Sequence, residues 1–150
     1  MFLGELIIRD GQRSGEWVLH APFVWQTDDE RIVVPEGFRT DLASIPRLFQ
    51  GLIPVNGRHR RAAVLHDYLY VVQDRSRSAA DRLFLTAMES VGVRWSQRWV
   101  MYAAVRVGGW LPWLRSDREL RTDPRHWLAR HGIEREELRT PPAEIDAIDV

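Results

Sequence analysis

At 150 residues, with 45% hydrophobic and 28% charged residues, the chain is long enough to bury a core in one domain of ordinary globular composition. Its 21 basic residues balance 21 acidic ones, so the molecule as a whole gives no electrostatic argument for nucleic acid, and no such partner is expected. Cysteine is absent, which excludes disulfides, thiolate metal sites and a cysteine nucleophile. Met1-Phe2-Leu3-Gly4-Glu5 has no basic region followed by a long apolar core, so no signal peptide is expected, and no transmembrane segment either. All the basic residues are arginine, read here as codon bias. The stretch 58–106 is basic, with nine arginines against four acids.

Residues 2–8 read as a strand, followed by a turn at Asp10-Gly11. Glu16–His20, Phe23–Gln26 and Arg31–Pro35 read as further strands, with Pro22 at a bend and Glu36-Gly37 in a turn. Together they predict a small antiparallel meander, too small to be stable unless it packs on the helices. Thr40 or Asp41 could cap a short helix with Pro46 in its first turn, running from Arg47 to Leu52. A loop at Pro54–Gly57 leads to a helix from Arg58 or His59 to about Val72, striped by Ala62, Leu65, Leu69 and Val72. Ser76 or Ser78 caps the next helix, whose core face is Leu83, Phe84, Ala87 and Met88 and which Gly92 ends. A third helix spans Arg94 to about Trp110, with Trp95 and Trp99 expected in the core and Pro112 stopping what remains. Trp110 and Trp113 are better placed for an exposed apolar patch. Asp123-Pro124 starts a short helix through Trp127 and His131, and the acidic end from Glu144 reads as extended. The fold class is therefore α+β: a β-meander on an antiparallel helical hairpin plus a third helix, with a helical or extended tail. The expected division is one domain over 1–115 and a C-terminal extension over 116–150.

The unusual stretch is His66-Asp67-Tyr68-Leu69-Tyr70, set among Ala62–Leu65 and Val71-Val72. Polar groups in apolar surroundings must be hydrogen-bonded or ligated, or they cost a few kcal/mol each. On a helix His66 and Tyr70 share a face, and Asp67 and Tyr70 can also meet. Asp81 lies in the next apolar run, within about one turn of the level of His66 if the two helices form a hairpin. A neutral histidine is a general base near pH 7, and a carboxylate on its far nitrogen fixes the tautomer. His66, Asp81 and Tyr70 are therefore the candidate catalytic residues. Asp67 could bind a hard cation such as calcium, with Asp41 as a second oxygen ligand. The same cluster could instead be a satisfied polar core that fixes helix register. His59 lies too close to His66 for a two-histidine phosphohydrolase arrangement. Ser44 with His66 and Asp81 lacks the glycine-flanked elbow of a nucleophile.

Two resemblances rest on these residues. The run Val34–Pro46, then Ala62–Tyr70, then Ser76-Arg77 with Ala80–Phe84 and Ala87-Met88, resembles a family of short proteins of unknown function encoded mostly by tailed phages and prophages. That resemblance covers roughly residues 20–110. It implies a phage context, with the protein in the host cytoplasm or the virion and phage structural proteins as partners. Separately, His66-Asp67-x-x-Tyr70 followed by Ala80-Asp81-Arg82 resembles the catalytic helices of secreted phospholipase A₂. It implies that His66 activates water, Asp67 binds calcium and Asp81 orients His66. The chain departs from that pattern in having no cysteine, and in offering Leu52–Gly57 where a glycine-rich calcium loop would stand. The expected function is a phage-associated hydrolase acting on lipid or cell-envelope esters, with Ca²⁺ as its cofactor. The alternatives are a non-catalytic virion or tail component and a small binding or regulatory protein carried by a prophage.

Overall fold

The structure, a computed structural model, describes residues 1–12, 14–42 and 59–133. The helix expected over Arg47–Leu52, the loop Pro54–Gly57, Ser44 and the acidic end lie outside the described residues.

The fold is α+β, with strands first and helices after. The strands are β1 (Phe2–Leu3), β2 (Ile8–Asp10), β3 (Trp17–Leu19), β4 (Phe23–Gln26), β5 (Arg31–Val34) and β6 (Arg39–Thr40). They divide between two antiparallel sheets, ordered β1-β4-β5 and β2-β3-β6. The chain changes sheet three times, between β1 and β2, at the Pro22 bend between β3 and β4, and between β5 and β6, so the strands do not make one continuous meander. Alternation sets the buried face: Phe23 and Trp25 of β4 and Ile32 and Val34 of β5 point into the core. Phe2 stacks on Phe23 at 4.9 Å and meets Trp25 edge-on at 4.7 Å. In the second sheet β6 pairs with β3, Thr40 opposite Trp17. That pairing delivers Thr40 and Asp41 to the side of the first helix.

The helices are α1 (His59–Val72), α2 (Arg77–Ser90), α3 (Trp95–Gly108), α4 (Trp110–Thr122) and α5 (Pro124–Arg130). α1 is buried nearly all round, including Ala62 to His66 and Tyr68 to Val71, so it is the central element rather than a surface helix. α2 folds back against it. The Ser76 side chain caps α2 by accepting from the Ala79 amide at 3.3 Å.

Further expectations change. Trp113, expected beside Trp110 in an exposed patch, is half-buried against the core, and Trp110 alone of the two is exposed. Trp95 and Trp99 are 69% and 44% exposed, and the buried face of α3 is Met101, Ala104 and Val105. Pro112 does not stop the chain's helical path: it sits in the first turn of α4, where its missing N–H costs nothing. The expected break at residue 115 falls inside α4, and Trp127, Leu128 and Ile133 beyond it are buried in the core. Trp127 Nε1 donates to the Val71 carbonyl at 3.1 Å, and the Arg39 amide donates to the His131 carbonyl at 2.9 Å, so this segment is stitched to α1 and β6.

Gly132 makes that stitch possible. Its φ is +72°, and a Cβ there would collide with the Gly37 carbonyl. Gly132→Ala is expected to cost about 2–3 kcal/mol and to lower Tm by roughly 5–10 °C, read by thermal unfolding.

Candidate functional site

His66 and Asp81 face each other across the α1–α2 interface. His66 Nε2 lies 2.9 Å from Asp81 Oδ1, and both residues are buried, at 2% and 0% exposure. Tyr70, one turn along α1, donates its hydroxyl to the same Oδ1 at 2.7 Å. The second oxygen, Oδ2, accepts from Arg106 of α3 at 2.8 Å and from Arg77 at 3.5 Å. Arg77 also donates to the Arg106 carbonyl at 3.0 Å, which ties α2 to α3. One carboxylate thus gathers four donors from three helices. The His66 ring is held between Tyr70 at 4.2 Å and Phe84 at 4.7 Å.

The electrostatics follow from burial and these bonds. Burial would raise the Asp81 carboxyl, but the hydrogen bonds from His66, Tyr70 and Arg106 outweigh it and hold Asp81 below the usual carboxylate value. Burial lowers His66 despite the pull of Asp81, so its imidazole is neutral at pH 7. An ionised Asp81 accepts the proton on Nε2, which leaves Nδ1 as the unprotonated nitrogen of the ring. Burial also raises the Tyr70 hydroxyl, which stays protonated and can only donate to Asp81.

Asp67 belongs to a second group. The Thr40 hydroxyl donates to Asp67 Oδ2, and the Leu42 amide donates to the Thr40 hydroxyl at 3.0 Å. Burial first, then repulsion from Asp41, push the Asp67 carboxyl up to about 8, against the Thr40 hydrogen bond. Leu42 adopts φ +52°, a left-handed conformation that a leucine rarely takes without support. Among the described residues no group of three or more His, Cys, Asp or Glu side chains is placed to hold a metal ion. Asp41, Asp67 and Thr40 supply two carboxylates and a hydroxyl, fewer than the six to eight oxygens calcium takes.

Both groups open on one cleft of about 960 Å³, lined by Thr40, Asp41, His66, Asp67 and Tyr70 on one side and by Leu111, Pro112 and Leu114 on the other. Gly109 lets the α3–α4 junction approach this closely, because a Cβ there would strike the Tyr70 hydroxyl. Trp113 meets the Tyr70 ring edge-on at 5.0 Å.

The structure therefore brings His66, Tyr70 and Asp81 into one network, and Asp67 and Asp41 to its edge. Ser44, the nucleophile of the alternative triad, lies outside the described residues. Sequence reasoning missed Arg77, Arg106 and Thr40. Arg77 had a local signal, since it stands four residues before Asp81 on one helix face. Arg106 and Thr40 had none, because each reaches its partner across a tertiary interface.

Residues 17–105 match the family described as Protein of unknown function (DUF1353). The chain belongs to that family. The match takes in His66, Tyr70, Arg77 and Asp81 and stops one residue short of Arg106. The chain is also similar to an uncharacterized protein, y4jT, of Sinorhizobium fredii, at 31% identity over 121 residues covering 78% of this chain and 36% of that relative. It thus spans about a third of the length of the curated relative it matches. No solved structure matches the chain.

The Asp67 carboxyl gives a test by pH. Its folded value, about 8, stands above its ordinary value of 3.8, so the folded state binds a proton that the unfolded state has lost. The stability this contributes is complete below about pH 4 and drains away as pH rises towards 8. Asp67→Asn cannot ionise. Above pH 8 it is expected to be roughly 2–5 kcal/mol more stable than wild type, with the gap closing near pH 4. Thermal unfolding of both chains across that range measures it.

Proposed function

We propose that this chain is a hydrolase in which His66 acts as general base on ester bonds of lipid or cell-envelope material. The observation that carries the reading is the hydrogen bond between His66 Nε2 and the buried Asp81, with His66 lining a cleft. Nδ1 takes a proton from water, the hydroxide oxygen bonds to the ester carbonyl carbon, and the C–O bond to the alcohol breaks. The imidazolium returns its proton to the departing alkoxide, giving acid and alcohol. Asp81 stabilises the imidazolium, while Tyr70, Arg106 and Arg77 keep Asp81 ionised and in place.

The phospholipase A₂-like pattern of His66, Asp67, Tyr70 and Asp81 supports the lipid-ester class. Calcium is part of this proposal: Asp67 and Asp41 are the carboxylates that would hold it, and it would polarise the ester carbonyl. Such binding has to displace the proton on Asp67. Calcium is therefore expected to raise the Tm of wild type at pH 8–9 and to leave Asp67→Asn unchanged. The phage association is likewise a proposal, resting on the run Val34–Pro46 and the two helix motifs.

A second reading has an observation of its own. Asp81 is fully buried and already receives four donors, and His66 is 2% exposed, which suits a satisfied polar core in a non-catalytic virion or tail component. Purified chain assayed on phosphatidylglycerol vesicles and on a short-chain nitrophenyl ester, with and without calcium, separates the two. Hydrolysis above background supports the enzyme. Its absence from both substrates under both conditions leaves the structural reading.

A further inference from the structure

Helices α3 and α4 carry a surface that the core does not use. Among the described residues ten large hydrophobic side chains are exposed, and seven of them lie between residues 95 and 114. Trp95, Trp99 and Val107 lie on the solvent-facing side of α3, away from its buried Met101, Ala104 and Val105, and Leu111 stands in the first turn of α4. Trp110 and Leu114 widen the band and are 59% and 43% exposed. Seven exposed large apolar side chains within twenty residues of chain mark an interaction surface.

Its charge is one-sided. From residue 94 to residue 116 the chain has four arginines and no acid. Arg98 pairs with Glu89 at 2.8 Å, and Arg106 is spent on Asp81. Arg94 and Arg115 remain, with Arg118 just beyond; all three are exposed and have no ion pair among the described residues. Tryptophan and leucine flanked by unpaired arginine are the side chains that settle at the headgroup level of an anionic bilayer.

The band is also continuous with the candidate site. Leu111, Leu114, Arg115 and Arg118 line the same cleft as His66 and Asp67. Trp113, on the inner face of α4, packs on Tyr70.

We propose that the exposed Trp–Arg face of α3 and α4 docks the protein on an anionic lipid surface, with the mouth of the His66 cleft at the edge of that contact. The surface needs no turnover at His66, so it stands or falls apart from the hydrolase reading. The hydrophobic part of the contact is Trp95, Trp99, Trp110 and Leu111; the electrostatic part is Arg94, Arg115 and Arg118.

The test is co-sedimentation of the full chain with phosphatidylglycerol vesicles and with phosphatidylcholine vesicles, alongside tryptophan emission. Binding about 10- to 100-fold tighter to phosphatidylglycerol, weakened in about 1 M salt and accompanied by a blue shift, is the expected result. Trp99→Ser with Trp110→Ser and Leu111→Ser is expected to weaken it at least about tenfold while leaving Tm within a few degrees, since all three side chains are exposed. His66→Gln is expected to bind as wild type does. Wild type that stays in solution with phosphatidylglycerol overturns the proposal. So does binding that the triple variant retains in full, or a stable dimer of this chain that covers the tryptophans and ignores lipid. Loss of hydrolysis in His66→Gln with binding intact tests the hydrolase alone.

Discussion

Asp81→Ala is expected to lose about 3–5 kcal/mol of stability, with Tm falling by roughly 10 °C or more. The size of the effect comes from what the alanine leaves behind. His66, Tyr70, Arg106 and Arg77 all direct donors at the two Asp81 oxygens, and the carboxylate itself is fully buried. Removing the acceptor strands a tyrosine hydroxyl and an imidazole N–H in apolar surroundings and leaves two guanidinium groups facing one another. Part of that cost is relieved by water, because the Arg106 side chain is 36% exposed. The effect also has a pH signature. Asp81 is held below its ordinary value of 3.8, so its contribution is complete above about pH 4 and is lost as pH falls through the folded value. The gap between wild type and Asp81→Ala should therefore narrow in acid, which thermal unfolding at pH 7 and pH 3 measures.

His66→Gln is expected to slow ester hydrolysis by about 10²–10⁴-fold, the range that a positioned general base contributes. Glutamine can still reach Asp81 with an amide N–H, so the network loses less stability than with alanine, but it has no basic nitrogen. The wild-type rate should follow deprotonation of His66. Burial sets that group below 6.5, so the profile of kcat/KM measured without calcium is expected to fall on an acid limb with its midpoint below 6.5. A midpoint above 6.5 would mean that the burial of His66 is relieved in the working state.

The helical hairpin was readable from local chemistry. The stripe of Ala62, Leu65 and Leu69, the Ser76 cap and Gly92 mark two helices and a short turn, and the four-residue spacing of His66 and Tyr70 puts both on one face. From there Asp81 is the acid whose level matches. Long-range partners carry no such mark. Arg106 reaches Asp81 from 25 residues away, and Thr40 reaches Asp67 from 27, so both appear only once α3 and β6 are in place. Periodicity also cannot tell which side of a helix faces the core. Trp95 and Trp99 keep helical spacing, yet the smaller Met101, Ala104 and Val105 are the buried residues of α3. The tail misled for a related reason. Trp127 stands among charged residues, and its burial rests on tertiary contacts, among them the hydrogen bond from its indole to the Val71 carbonyl at the end of α1. Strands of two to four residues left the sheet assignment open, because pairing, not pattern, decides which edge so short a segment joins.

The central claim is that His66 is a working base and not only a member of a polar core. The direct measurement is the initial rate of acid release from phosphatidylglycerol vesicles at pH 7.5, for wild type and for His66→Gln, on chains whose folding has been checked by thermal unfolding. The predicted result is release by wild type and a loss of at least about 10²-fold in the variant, with the variant still folded. Equal rates for the two folded chains would contradict it.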